Sequence, residues 1–125
     1  MSYKDRLLEA ARTAGKPHKV EVPGFSEPVF MREISGADRD KYEASLVEYR
    51  DKQGKIDVLG HGNKITARLL IQVIVDEQGN RVFDDDDVDL VRQTFPWRVM
   101  EKLSTEALRI NRVTDEAVKD SVKNS

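Results

Sequence analysis

The sequence has no cysteine among its 125 residues. Disulfide bonds, thiolate metal sites and thiol catalysis are therefore excluded, and the composition fits a reducing compartment. No apolar run approaches the length of a membrane span, and residues 1–12 lack the apolar segment of a signal peptide. These absences predict a protein that is made and used in the cytosol.

An excess of one charge is also missing. The chain carries 21 Lys and Arg against 23 Asp and Glu, for a formal net charge of -2. A protein that binds nucleic acid usually shows a basic excess or stripe, and a protein that mimics nucleic acid needs an acidic one. Neither class is supported. Hydrophobic residues at 38% and charged residues at 35% indicate one folded domain, residues 1–125, with mobile polar segments.

Local signals at the start of the chain predict a helix followed by a β-hairpin. Ser2 and Asp5 have the spacing of a helix cap, and apolar residues recur at helical intervals up to Gly15. Apolar residues alternate over residues 18–22, Pro23 and Gly24 form a turn, and residues 28–34 are rich in β-formers. With the helices that follow, this pattern predicts a mainly α (α+β) fold, a small N-terminal β-hairpin followed by a bundle of about four helices.

The next helix is predicted to begin at Ser35 and to be closed by Gly54. Residues 51–63 contain three glycines around a short apolar island, which is typical of a mobile loop. Two groups of apolar side chains are the predicted partner-binding residues, one on a stripe of the helix and one in the loop: Tyr42, Leu46 and Tyr49, then Ile56, Val58 and Leu59. The island either folds onto the core or contacts a partner, and in the second case it would mediate self-association.

A central buried helix is predicted to begin after Asn63. Its second half, residues 71–75, is also compatible with a strand, because short apolar runs are ambiguous by periodicity. Asp84 begins a short helix with an acidic first turn, and Pro96 begins a final long helix in which Trp97 is expected to pack in the core. Thr114 can cap a last segment, and residues 119–125 are expected to be a disordered tail.

No catalytic, cofactor-binding or metal-binding motif is present. The acidic run from Asp84 fails the spacing of a calcium loop, because Asp89 and Phe95 occupy the positions that need glycine and glutamate. His18 and His61 are far apart in sequence and are expected to be surface residues. Phosphate-binding loops and nucleophile elbows are missing too. The sequence therefore predicts a non-enzymatic protein that needs no cofactor or metal.

Three passages of the sequence form an ordered set of short motifs. The first joins VPGF at residues 22–25 to VFMREISGADRDKYE at residues 29–43. The second joins ARLL at residues 67–70 to VDEQGNRVF at residues 75–83. The third is LRIN at residues 108–111 with the ending KNS. In their order and spacing these motifs resemble the tail assembly chaperones of siphophages, the lambdoid and related long-tailed phages, over roughly residues 19–125.

The resemblance implies a chaperone that binds the phage tape measure protein, keeps it soluble and helps to recruit the major tail protein. It further implies action in the host cell cytoplasm, absence from the mature virion, and a longer product of programmed frameshifting in some members. Self-association would raise avidity for a long client. The alternative is a structural head–tail joining or tail-completion subunit that stays in the virion, which detection in purified particles would distinguish.

Overall fold

The structure, a computed structural model, describes the backbone of residues 1–111 and their side chains except those of residues 58–60. The predicted tail at 119–125 and the cap at Thr114 lie outside these residues. The first helix, α1, spans Tyr3–Ala14. Ser2 Oγ accepts from the Asp5 N–H at 3.1 Å, and Asp5 Oδ2 accepts from the Ser2 N–H at 3.3 Å. The predicted helix start is confirmed.

Three short strands form an antiparallel sheet in the order β1-β2-β3. Strand β1 (His18–Val20) and β2 (Val29–Met31) are the predicted hairpin. Gly24 in its turn has a φ of 90°, and the Arg98 guanidinium lies 2.9 Å from where a Cβ would stand. Arg98 Nη1 donates to the Pro23 carbonyl at 2.9 Å, so the turn is held by a distant helix and only glycine fits.

Helix α2 spans Gly36–Ser45, capped by Ser35. The prediction that it continues to Gly54 is wrong, because a 3₁₀ turn, Val47–Tyr49, follows it. Residues 50–56 then form a compact turn. The backbones of Arg50 and Ile56 form an isolated antiparallel β-bridge. Asp51 Oδ1 accepts from the N–H groups of Gln53 and Lys55, both at 2.9 Å.

Helix α3 spans Val58–Val73 and β3 follows directly at Ile74–Val75. Residues 58–63 are therefore helical and not part of a loop. The sequence favoured a loop here because Gly60 and Gly62 each lower the helix propensity by about 1 kcal/mol relative to alanine. Packing stabilises the helix at this end, since the ring centroids of His61 and Tyr49 are 5.0 Å apart. Ile74 and Val75, the last two residues of the apolar run at 71–75, form a strand because they pair with β2.

A 3₁₀ turn at Asp85–Asp87 leads into α4 at Val88–Thr94, and α5 at Trp97–Ile110 completes the described chain. Helix α3 packs against α2, α4 and α5 and is the centre of the fold. The α+β class is thus confirmed. The core cluster comprises residues from the sheet and from helices α3 to α5: Val20, Val22, Met31, Ala67, Leu69, Leu70, Ile71, Val73, Ile74, Val88, Val91, Val99, Met100, Leu103, Ala107 and Ile110.

Asn111 ties the end of α5 to the segment after β2. Its Oδ1 accepts from the Ile34 N–H at 2.9 Å, and its Nδ2 donates to the Ala107 carbonyl at 2.9 Å and to the Arg32 carbonyl at 3.4 Å. Arg32 in turn donates from Nε to the Gln72 carbonyl at 2.9 Å. These contacts join segments that are 77 residues apart in the chain.

Asn111→Ala should lower the free energy of unfolding by about 1–3 kcal/mol, because the half-buried Ile34 N–H loses its acceptor. Urea unfolding followed by circular dichroism measures this. Asn63→Ala is the matched control, since Asn63 is exposed on α3, and should change stability by less than about 0.5 kcal/mol. Equal changes in the free energy of unfolding for the two substitutions would show that the hydrogen bonds of Asn111 do not stabilise the fold.

Candidate protein-binding site

Helices α2 and α5 both pack against α3 and leave an apolar groove between them. Its volume is about 280 Å³. We call it the α2–α5 groove. Its lining residues are Ile34, Arg39, Tyr42, Glu43, Leu46, Leu69, Ala107, Leu108 and Asn111.

Three polar residues of this groove, Arg39, Glu43 and Asn111, have partners within the chain. Arg39 Nε lies 3.1 Å from Glu43 Oε1, one helical turn along α2. Asn111 bonds the backbone as described above. Burial, together with the nearby Glu43 carboxylate, raises the pKa of Tyr42 above its usual value. The phenol therefore stays neutral at physiological pH, and an incoming surface meets mainly apolar side chains.

Two of the predicted partner-binding residues, Tyr42 and Leu46, lie together in this groove and are half-buried. They are four residues apart in α2 and its C-cap, so they share one face. Leu108 contributes from α5 and is 37% exposed. Ala107, the residue before it in α5, lines the groove and also belongs to the core cluster.

Tyr49 lies elsewhere and is buried at 6% exposure. Its ring contacts His61, and its hydroxyl accepts from Arg68 Nε at 3.3 Å. The expectation that His61 is a surface residue is wrong, because its ring is half-buried and its Nδ1 is enclosed, with no hydrogen-bond partner in the part of the chain that the structure describes. Tyr49 and His61 pack the 3₁₀ turn onto α3, so Tyr49 does not share the helical stripe predicted for it with Tyr42 and Leu46.

The loop residues are not gathered into the groove. Ile56 is half-buried in the compact turn beside Arg50. Val58 and Leu59 belong to the first turn of α3, and their side chains lie outside the described part of the structure. A role for these three residues in self-association stays a prediction.

Trp97 is 70% exposed, so the prediction that it packs in the core is wrong. It lies in the first turn of α5 beside an open depression of about 640 Å³ that also involves Gly62, Thr66 and Glu101. Pro96 turns the chain just before it, and Val99 and Met100 take the inner positions of this turn. The helical spacing alone could not show which of these neighbours faces inward.

The acidic run after Phe83 is engaged in helix capping and ion pairs. Asp87 Oδ2 accepts from the Asp84 N–H at 2.8 Å, Asp85 pairs with Arg81 at 3.1 Å, and Asp89 pairs with Arg92 at 2.8 Å. Within residues 1–111, no cluster of three or more potential metal-ligating side chains is present. No helix in the same part of the chain is long and apolar enough to cross a membrane.

The fold is similar to that of a solved tail assembly chaperone. The structure of the bacteriophage HK97 tail assembly chaperone superposes with a TM-score of 0.60 and 23% sequence identity, covering 86% of this chain and 95% of that one. The sequence pattern of the phage tail assembly chaperone family matches residues 4–121. The chain belongs to this family, and the predicted resemblance is confirmed. No curated protein matches the sequence significantly.

Proposed function

We propose that this tail assembly chaperone binds the tape measure protein of its phage, keeps it soluble and helps to recruit the major tail protein around it. It would act by binding alone, without a catalytic step, in the host cell cytoplasm, and would leave before the virion is complete. The α2–α5 groove carries the proposal, because it is a preformed apolar surface on a protein whose family acts in tail assembly.

The shape and chemistry of the groove suit a helical client. Two helices form its sides and Leu69 of α3 lies among its lining residues. An amphipathic client helix can insert apolar side chains from successive turns into such a groove, because residues three and four apart project from one face. Tyr42, Leu46 and Leu108 would contact these side chains. Ile56, Val58 and Leu59 remain proposed as additional contacts.

Co-expression with the tape measure protein from the same genome should move that client from the insoluble to the soluble fraction. A tagged chaperone should recover it in a pull-down. The complex should persist at about 1 M salt, where charges are screened beyond about 3 Å, since the proposed contacts are apolar.

An unrelated soluble protein expressed at the same level is the control, and it should leave the client insoluble. If the client stays insoluble with the chaperone present and no complex forms at any salt concentration, tape measure binding is refuted. A complex that dissociates at high salt would instead assign the contact to exposed charges and not to the groove.

A further inference from the structure

Helix α1 has an apolar stripe that the rest of the described chain does not cover. Every residue from 1 to 16 is exposed, and Tyr3 and Leu7 are 67% and 51% exposed. A helix of 12 residues is marginal in water without tertiary contacts. A surface that packs on the stripe would therefore stabilise the helix and cover its apolar side chains. The stripe consists of Tyr3, Leu7, Ala10, Ala11 and Ala14.

Charge is distributed unevenly around α1. At about 100° per residue, Lys4 and Arg6 flank the apolar stripe. Asp5 and Glu9 lie on the opposite side, where the first takes part in the helix cap and the second in an ion pair within α1. Arg6 lies over the Tyr3 ring, 5.6 Å from its centroid. Neither basic residue has an ion-pair partner in the described part of the chain, so the complementary surface should be apolar with an acidic rim.

Such a surface lies over strands β2 and β3. It is a groove of about 300 Å³, and its apolar lining includes Val29, Phe30, Val82, Phe83 and Phe95. The rings of Phe83 and Phe95 meet edge to face with centroids 6.1 Å apart, and Val82 is 53% exposed. We call it the β2–β3 groove. It has room for side chains but not for a whole helix, so a docked helix would lie across it.

The charged residues lining the β2–β3 groove are all acidic: Glu27, Asp76 and Glu77. None of the three forms an ion pair within residues 1–111. The Asp76 carboxylate accepts from the N–H groups of Gln78 and Asn80, both at 2.9 Å, which fixes it in the turn. The unpaired charges that flank the stripe of α1 are thus positive, and those of the groove are negative.

The base of α1 lies at the turn that supplies two of these carboxylates. Pro17 Cγ is 3.8 Å from where a Cβ of Gly79 would stand. The Gly79 N–H bonds the Asp76 carbonyl at 3.0 Å, so Gly79 belongs to the same turn as Asp76 and Glu77. Leu7 lies about 10 Å from the end of α1 at 1.5 Å per residue. A helix that folds back over this turn is therefore long enough to place Leu7 over the groove.

Only two residues, which we call the linker, separate α1 from Pro17. The Gly15 N–H bonds the Ala11 carbonyl at 3.1 Å, and the Lys16 N–H bonds the Thr13 carbonyl at 3.3 Å. Both bonds are to the last turn of α1, and both linker residues are exposed and outside the core cluster. Rotation of the backbone in the linker therefore moves α1 without disturbing the core, and the glycine widens the choice of φ and ψ.

We infer that α1 folds back at its linker and packs across the β2–β3 groove of its own chain, with Leu7 on Val82 and the two basic residues beside the acidic rim. The position described above is the open one, and this is the closed one. The short linker holds α1 close to this groove at a high effective concentration. Closing covers the stripe and the groove together, and opening presents both to other proteins. The contact is separate from the α2–α5 groove and does not depend on the proposed client.

The absence of cysteine allows a direct crosslinking test. Leu7→Cys and Val82→Cys are placed in one full-length chain, which is oxidised at low protein concentration. Leu90→Cys replaces Val82→Cys in the control, since Leu90 is 54% exposed on α4 and does not line the groove. The bridge between positions 7 and 82 should form at least about fivefold faster than the control bridge, because a disulfide needs Cα atoms within about 7 Å.

Non-reducing gels and intact mass distinguish a bridge within one chain from a bridge between two chains. Equal rates in the test and control chains would overturn the inference. A bridge that forms mainly between two chains would also overturn it, because α1 of another molecule would then occupy the groove.

Charge reversal in the same cysteine pair tests the acidic rim. Lys4→Glu with Arg6→Glu should slow the bridge about fivefold at low salt, because two attractions become repulsions. Acidic residues near the start of a helix stabilise it, so unfolding of α1 cannot explain a slower bridge. Adding Glu27→Lys with Glu77→Lys to that chain should restore the original rate, since each reversed residue then meets a reversed partner.

All four altered residues are exposed, so circular dichroism should show that the charge variants remain folded. A rate that the first pair of substitutions leaves unchanged would overturn the inference. A rate that the second pair fails to restore would do the same, because the basic residues would then not be paired with this rim.

Hydrogen exchange tests the chain without cysteine substitutions. The amide groups of α1 should exchange at least about threefold more slowly in the wild type than in the Lys4→Glu, Arg6→Glu variant, because docking protects the helix. This protection should be the same across a concentration series. Equal exchange in the two proteins, or protection that grows with concentration, would overturn the inference. A failure of client solubilisation leaves these measurements unchanged, so this inference and the proposed function are tested separately.

Discussion

Leu108→Asp is expected to abolish recovery of soluble tape measure protein, with at least a tenfold loss of affinity. A bound client would bury the new carboxylate in the α2–α5 groove without a partner, at a cost of several kcal/mol, and each 1.4 kcal/mol corresponds to about tenfold in affinity. Leu108 is already 37% exposed, so the fold should tolerate the change. Co-expression and pull-down measure the effect.

Leu90→Asp is the matched control for this substitution. Leu90 is also a helical leucine, is 54% exposed, and lies on α4 outside the groove. It should retain client binding, and thermal melts of both variants should resemble the wild type. Normal solubilisation by Leu108→Asp would refute the assignment of the client to this groove while leaving chaperone function to another surface.

Leu103→Ala should cost about 2–5 kcal/mol of unfolding free energy. Leu103 is fully buried on α5 where that helix packs on α3, so truncation removes apolar contacts and leaves a cavity. Domains of this size are stabilised by only about 5–15 kcal/mol in total, so the variant should unfold at much lower urea concentration.

Leu90→Ala provides the comparison for the core substitution. Its side chain is exposed on α4, and its truncation should change stability by less than about 0.5 kcal/mol. Urea titration at low protein concentration keeps self-association from contributing. If the two alanine variants unfold at the same urea concentration, Leu103 does not occupy the packed position described here.

Local sequence signals determined the hairpin and the starts of α1, α2 and α5, whereas α3 begins at Val58 and not after Asn63 as predicted. The cap at Ser2, the cap at Ser35 and the acidic turn after Asp84 all occur as predicted, since each depends on residues within one helical turn. The turn at Pro23 and Gly24 was also predicted from local residues, although Arg98 of α5 holds it in the structure. The order of short motifs along the chain also predicted the family, which the family match confirms.

Only the tertiary structure decided which apolar side chains are covered. Periodicity places a residue on a helical face, but a distant segment determines whether that face is buried. Trp97 is exposed because Val99 and Met100 take the inner positions, and Tyr49 is buried because His61 packs on it.

The same reason explains the longer-range features. Ile74 and Val75 form a strand because β2 lies beside them, and α3 runs through Gly60 and Gly62 although these residues favour a loop. The α2–α5 groove joins residues from three helices that no local pattern connects. The sequence by itself thus determined where most of the elements begin and to which family the chain belongs. Contacts between distant segments determined their ends, their covered faces and the surfaces left for partners.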